Sequence, residues 1–318
     1  MRRVLSLMLL MPMLMVSGCV IPGTDFRIPI ISDLFGPPIE EFRHDVVFIQ
    51  SLQAIPSHTI RSGQALTLRA YVQNLQKPES DPQNDVEIEL YDDCGIFDVR
   101  KSICTGGTFQ GETKCKITKM YPQSTAIVDW KMTAKPMKIK TPCDVGVLVK
   151  YTYTTHTTSS ASFVNQEELE NLIAQGKQFS EKGMIVVGEG PVKSYIEVPD
   201  QPIMVDIRGG DGTGKGMMTF WVENKGKGEL EGNKIIKDNI DIECGDQVTG
   251  CENCEKKIDE DGLQLIGRSS PKFSCEIEPR NKGFITQEKT YQLTSKITYS
   301  YKFTKKIKLT IEPEIKLD

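Results

Sequence analysis

Apolar and polar residues alternate with a period of two along most of this chain, and that pattern limits its fold more than any other feature. Leu66, Leu68, Ala70 and Val72 alternate with Thr67, Arg69 and Tyr71, and Val86-Glu-Ile-Glu-Leu90 repeats the rhythm. Ala126, Val128, Trp130 and Met132 make a further apolar face, as do Val145, Val147, Val149, Tyr151 and Tyr153. In the C-terminal half Met218, Phe220 and Val222 alternate, then Ile240, Ile242 and Cys244, then residues 293–303 and 306–311. Side chains two apart share one face of a strand, so each run has a core side and a water side. Many short strands of this kind predict an all-β chain of immunoglobulin-like β-sandwiches. A length of 318 residues accommodates two.

Four landmarks recur in the same order. Val72-Gln-Asn74 returns as Val222-Glu-Asn224 and Cys94 as Cys244, each 150 residues later. Cys115-Lys-Ile117 returns as Cys275-Glu-Ile277, and Tyr151-Thr-Tyr153 as Tyr299-Ser-Tyr301. They predict a tandem repeat, with sandwiches over residues 43–160 and 191–318 and a helix-containing linker over 161–190. In the linker Asn165 is set to cap a helix, with Glu168 completing a capping box and Val164 and Leu169 a hydrophobic staple. Leu169, Leu172 and Ile173 form one stripe, and Gly176 ends the helix. A helix of about three turns is marginal alone, so it is expected to dock by that stripe.

Asp45-Val-Val-Phe opens a strand, Arg61-Ser-Gly-Gln64 makes a turn, and Ala65–Asn74 ends in Val-x-Asn. The second copy keeps Val222-Glu-Asn-Lys-Gly226. These segments resemble the CARDB-like immunoglobulin-fold modules of archaeal and bacterial surface proteins. The resemblance implies a surface protein; both copies depart from the usual module by carrying cysteines.

The N-terminus reads as an export signal. Met1-Arg-Arg supplies positive charge, and residues 4–16 are apolar apart from Ser6 and Pro12. Val16-Ser17-Gly18-Cys19 resembles the lipobox of secreted lipoproteins, which implies removal of residues 1–18 and lipidation of Cys19. An uncleaved anchor and ordinary secretion are the alternatives, and each places the rest outside the cytoplasm. Residues 19–42 hold Ile21-Pro-Gly, Ile28-Pro and Gly36-Pro-Pro, which break regular structure and suit a flexible tether.

Eight further cysteines divide evenly: Cys94, Cys104, Cys115 and Cys143, then Cys244, Cys251, Cys254 and Cys275. Even counts in an exported chain imply disulfides. Strand parity and the repeat favour Cys94–Cys115 and Cys244–Cys275, which leaves Cys104–Cys143 and Cys251–Cys254. The rival is a zinc site of four thiolates, Cys244, Cys251, Cys254 and Cys275, around the C-x2-C knuckle.

Other motifs fail. Gly209-Gly-Asp-Gly-Thr-Gly-Lys215 lacks the Ser or Thr and the helix of a phosphate-binding loop. Asp259-Glu-Asp-Gly262 lacks the remaining ligands of a calcium loop. His44, His58 and His156 sit in no catalytic frame. Tyr151, Tyr153, Tyr299 and Tyr301 could form a carbohydrate platform but fit cross-strand packing better. Lys302, Lys305, Lys306 and Lys308 suit a solvent face, with acidic-polymer contact as the lesser reading.

With 39 Lys and Arg against 43 Asp and Glu, the net charge of −4 excludes a strongly basic nucleic-acid binder. The expectation is a membrane-anchored extracytoplasmic lipoprotein acting as a structural, adhesive or protein-interaction module. It has no enzymatic activity and no cofactor, and its partners are the membrane and an envelope protein. A ligand-binding lipoprotein, or an accessory subunit of an envelope enzyme or transporter, is the alternative.

Overall fold

A computed structural model describes residues 44–92, 94–177, 185–206 and 214–313. The leader, Cys19 and the tether lie outside the described residues, as do residues 209–213 of the glycine-rich loop.

The first half contributes β1 (Val47–Ile55), β2 (Thr59–Arg61), β3 (Ala65–Asn74), β4 (Gln83–Asp92), β5 (Phe97–Cys104), β6 (Thr108–Gln110), β7 (Lys114–Met120), β8 (Thr125–Ala134) and β9 (Thr141–Asn165). Helix α1 (Gln166–Ala174) follows. The second half contributes β10 (Ile185–Val187), β11 (Val192–Glu197), β12 (Ile203–Val205), β13 (Gly216–Asn224), β14 (Glu229–Leu230), β15 (Lys234–Ile235), β16 (Ile240–Glu243) and β17 (Val248–Thr249). It ends with helix α2 (Cys251–Glu255), β18 (Leu263–Gln264), β19 (Phe273–Pro279) and β20 (Lys289–Glu312).

The chain is all-β and sandwich-like, as the alternation predicts. A four-stranded sheet, β1-β3-β8-β5, and a second, β11-β13-β19-β17, lie over a third sheet whose main path is β14-β20-β9-β4-β7-β6. Trp130, Leu68 and Val72 from the first small sheet are fully buried in one core cluster with Val147 and Ile88 of the large sheet. Phe220 and Met218 of the second small sheet join the same cluster.

The two halves share a join that the sequence did not predict. Strands β9 and β20, of 25 and 24 residues, pair without a break from Phe163↔Lys289 to Thr141↔Ile311. At about 3.4 Å per residue such strands extend about 80 Å and serve both halves. Neither has a proline or glycine between residues 147 and 165 or between 289 and 312. Both are rich in Thr and Tyr, with Val in β9 and Ile in β20, the residues that fit a pleated surface.

So long a strand would expose an edge, and β9 covers its second edge piecemeal. Strand β4 pairs with residues 145–150, β10 with 157–159 and β12 with 163–165. Side chains fill the gaps. Gln83 Nε2 donates to the Thr152 carbonyl at 2.6 Å. Gln201 Oε1 accepts from the Ser162 amide at 2.9 Å while its Nε2 donates to the Ser160 carbonyl at 3.0 Å, replacing one strand residue.

Helix α1 is capped as predicted: Asn165 Oδ1 accepts from the Glu168 amide at 2.7 Å. Gly176, at φ +78°, and Lys177 close its end by bonding the Ile173 and Leu172 carbonyls. The expected docking by the apolar stripe does not occur. No side chain of the helix is buried, and Ile173 is 59% exposed. Its attachment is through the cap, because Asn165 Nδ2 donates to the Ile285 and Thr286 carbonyls.

Three landmarks fall on matching strands. Asn74 ends β3 and Asn224 ends β13, each second in its small sheet, and Tyr151 and Tyr153 face Tyr301 and Tyr299 in register. Cys94 and Cys244 each follow a strand, β4 or β16, that pairs with a long strand. The remaining landmark fails. Cys115 is on β7 in the large sheet, whereas Cys275 is on β19 in a small sheet, in the position that β8 holds in the first half.

Candidate functional site

That failed landmark overturns the expected disulfide pairing. The four bonds are Cys94–Cys143, Cys104–Cys115, Cys244–Cys251 and Cys254–Cys275. Pairing of β4 with β9 runs to Asp92↔Val145, and two residues further Cys94 and Cys143 fall opposite each other. Cys115 instead faces Ile88, about 20 Å along β4 from Cys94. In the second half helix α2 lies between β16 and β19, so Cys251 and Cys254 each take a strand cysteine rather than each other. All four thiols of the zinc alternative are thereby consumed. Such bonds belong to an oxidising, extracellular compartment.

The Val-x-Asn motifs close turns. Asn74 Oδ1 accepts from the Gln76 amide at 2.9 Å, and Asn224 Oδ1 accepts from Gly226 at 3.1 Å. Around Asn224 lies a buried polar cluster. The Asp45 carboxylate, 3% exposed, accepts from the Lys227 amide at 3.1 Å to each oxygen. Tyr301 Oη donates to Asp45 Oδ1 at 3.3 Å and Asn224 Oδ1 at 3.2 Å, and the Val46 amide donates to Tyr151 Oη at 3.3 Å. A Cβ on Gly226 would fall 2.4 Å from both Asp45 Oδ1 and Tyr301 Oη, so only glycine fits there. Burial pushes the Asp45 carboxyl above its usual range, and the Lys227 amide and Tyr301 hydroxyl only partly oppose that. The cluster fastens the start of β1 to the second half.

The tyrosines are core, not a carbohydrate platform: Tyr151, Tyr299 and Tyr301 are at most 2% exposed, and burial raises the pKa of each. An aromatic pair that sequence reasoning missed is on the outer face of the second small sheet. Tyr195 and Trp221, opposite each other on β11 and β13, stack at 5.0 Å, and Lys272 Nζ is 4.3 Å from the Trp221 centroid.

Other sequence candidates are engaged. Lys215, at the end of the glycine-rich loop, pairs with Glu276 at 2.9 Å beside a cleft of 170 Å³. At the Asp259–Gly262 turn, Glu260 pairs with Lys237 at 2.9 Å. Lys302 pairs with Glu229 at 3.4 Å. Lys305 donates to the Gln50 carbonyl at 2.8 Å on the irregular edge of β1, and burial lowers its pKa. Lys306 sits 5.5 Å from the Tyr91 ring. His156 is exposed opposite Lys296. Among the described residues no group of three or more His, Cys, Asp or Glu is placed to hold a metal.

The outer face of β1-β3-β8-β5 differs in its charge pairing. Arg69 Nε and Nη2 bind the two Asp129 oxygens at 2.8 Å each, and Lys135 is 3.9 Å from Asp98. Beside these pairs Arg100 on the edge strand β5 is directly opposite Lys131 on β8, and both are exposed. Ile103, 47% exposed, faces Asp129 in the next row.

No family model and no curated protein matches the chain. Among solved structures, the Corynebacterium diphtheriae major pilin SpaA overlaps with a TM-score of 0.19 at 11% identity, covering 57% of this chain and 63% of the pilin. The S. aureus collagen adhesin CNA overlaps with a TM-score of 0.15 at 10% identity, over 85% of this chain and 94% of the adhesin. Overlaps this loose fix neither a function nor a partner.

Proposed function

We propose that the protein is an extracytoplasmic lipoprotein, held to the membrane by a lipid on Cys19, that works as a structural or adhesive module of the cell envelope. Its partner is an envelope protein, and the CARDB-like strand motifs support a surface role. The observation that carries the reading is the unbroken β9–β20 ladder, which serves both sandwiches while four disulfides tie loops and helix to the sheets. A strand ladder that long resists extension and offers broad faces. The cleft beside Lys215, at 170 Å³ and polar, is smaller than the roughly 300–1,000 Å³ of ordinary ligand sites. No catalytic role or cofactor is assigned.

The anchor is tested by growing cells with a fatty-acid analogue that can be tagged. Wild-type protein is expected to carry a label that survives boiling in detergent, and Cys19→Ser is expected to lose all of it. An unlabelled wild type, or a labelled variant, would overturn the lipid anchor.

A further inference from the structure

In the second half two disulfides share one short helix. Cys244, just after β16, is bonded to Cys251, the first residue of α2. Cys254, three residues further along α2, is bonded to Cys275 on β19. Residues three apart on a helix lie on one face, with Cβ atoms about 5–6 Å apart. Both bridges converge on Met218 of β13. Cys251 Sγ is 3.9 Å from the Met218 sulfur, Cys275 Sγ is 3.8 Å from the Met218 carbonyl oxygen, and Met218 is opposite Cys275 in the β13–β19 register. Cys251, Cys254 and Cys275 are at most 2% exposed, whereas Cys244 is 7% exposed and is the most open of the four.

Two contacts hold α2 in place without the Cys244 bond. Gly250 lies so close to β19 that a Cβ on it would fall 2.0 Å from the Glu276 carbonyl oxygen. At the other end of the helix Glu255 Oε1 accepts from the Ile242 amide of β16 at 2.7 Å. A thiolate released on Cys251 therefore stays beside Cys254.

We infer that the two bridges form a thiol-triggered relay, in which one external thiol attacking Cys244 opens both covalent ties of helix α2. The thiolate of a small or protein thiol attacks Cys244 Sγ and forms a mixed disulfide there, and the electron pair of the broken bond leaves on Cys251 Sγ. The Cys251 thiolate then attacks Cys254 Sγ. A Cys251–Cys254 bond forms, the Cys254–Cys275 bond breaks, and its electron pair leaves on Cys275 Sγ. The proton lost by the external thiol ends on Cys275 by way of solvent. Two disulfides enter and two remain, so the relay consumes one thiol and no oxidant. Its second step needs the two Cβ atoms to close to about 4 Å, an adjustment open to the first residue of a five-residue helix freed from Cys244. Direct attack on Cys254–Cys275 is the poorer route, because both residues are buried. The product leaves α2 bonded to neither strand. Strand β16 covers β20 at residues 294–297, so the relay connects a thiol signal to the ladder that both halves share. The inference rests on the second-half bonds and not on the lipid anchor.

Full-length protein in detergent is incubated with glutathione at mildly alkaline pH, quenched with acid at intervals, alkylated and mapped by peptide mass spectrometry. An untreated sample first checks the starting bonds, so a wrong disulfide map is told apart from a failed relay. The expected product carries glutathione on Cys244, a Cys251–Cys254 bond and an alkylated Cys275 in one molecule. In the variant Cys244→Ser/Cys251→Ser the internal nucleophile is absent, and Cys254–Cys275 is expected to open at least about tenfold more slowly, because an external thiol must reach a buried sulfur. Thermal melting first checks that the variant is folded at the assay temperature, and where it is not, the wild-type map alone decides. Glutathione on Cys244 beside a free Cys251 and an intact Cys254–Cys275 bond would overturn the relay. So would equal opening rates of Cys254–Cys275 in wild type and folded variant, or second-half bonds that stay closed while the exposed Cys94 is reduced.

Discussion

Replacing Cys94 and Cys143 together by serine is expected to cost about 4 kcal/mol, the largest loss among the four disulfides. The bond joins residues 49 apart, and a cross-link removes more freedom from the unfolded chain as the loop it closes lengthens. The same relation gives about 3.3 kcal/mol for Cys254–Cys275, which spans 21 residues, and about 2.4 kcal/mol for Cys244–Cys251, which spans 7. Position should sharpen the difference. Cys94–Cys143 continues the β4–β9 ladder, so its loss frees the end of a strand in the sheet that serves both halves. Urea unfolding of the three double variants without reductant gives the ranking. An equal loss in all three would show that loop closure does not govern their contributions.

The second large effect is expected at Asp45. Asp45→Ala removes a buried carboxylate that accepts the Lys227 amide and the Tyr301 hydroxyl. Tyr301 retains Asn224 as acceptor, but the Lys227 amide loses its bonds to the carboxylate. Loss of the charge-assisted bonds to Lys227 and Tyr301 together with the small cavity gives a loss of about 3 kcal/mol. The pH dependence follows from the raised pKa. The protonated form is favoured in the folded state, so the stabilisation from Asp45 is fully present below the ordinary carboxylate value of about 3.9 and declines as the pH rises through the raised one. The gap between wild type and variant should therefore be wider at pH 4 than at pH 7. Thermal unfolding at the two pH values measures it, and a gap that widens toward neutrality would contradict the direction of the shift.

Much of the fold is legible in the sequence because burial and strand period are local properties. Leu66 to Val72, Ala126 to Met132 and Val145 to Val149 fall on the strands that their alternation predicts, with their apolar members buried. The cap at Asn165 is legible for the same reason, since a capping box needs only four residues. The disulfide map is not local. Cys115 and Cys275 share a tripeptide pattern but occupy different sheets, and parity along one strand says nothing about which sheet lies above it. The length of β9 was equally hidden, because residues 152–162 carry threonines and serines where the preceding residues alternate apolar and polar. The Arg100–Lys131 juxtaposition also needed the register. In sequence the two are ordinary surface cations, and only the β5–β8 pairing sets them opposite each other.

The most direct single measurement is the intact mass of detergent-extracted protein without reduction, followed by peptide mapping of the bridges. The expected result is a chain beginning at Cys19 with an added lipid, no free thiol among the eight remaining cysteines, and links joining Cys94 to Cys143, Cys104 to Cys115, Cys244 to Cys251 and Cys254 to Cys275. A chain that keeps residues 1–18 without lipid, or carries free thiols in the second half, would contradict the reading of a disulfide-stapled lipoprotein of the cell envelope.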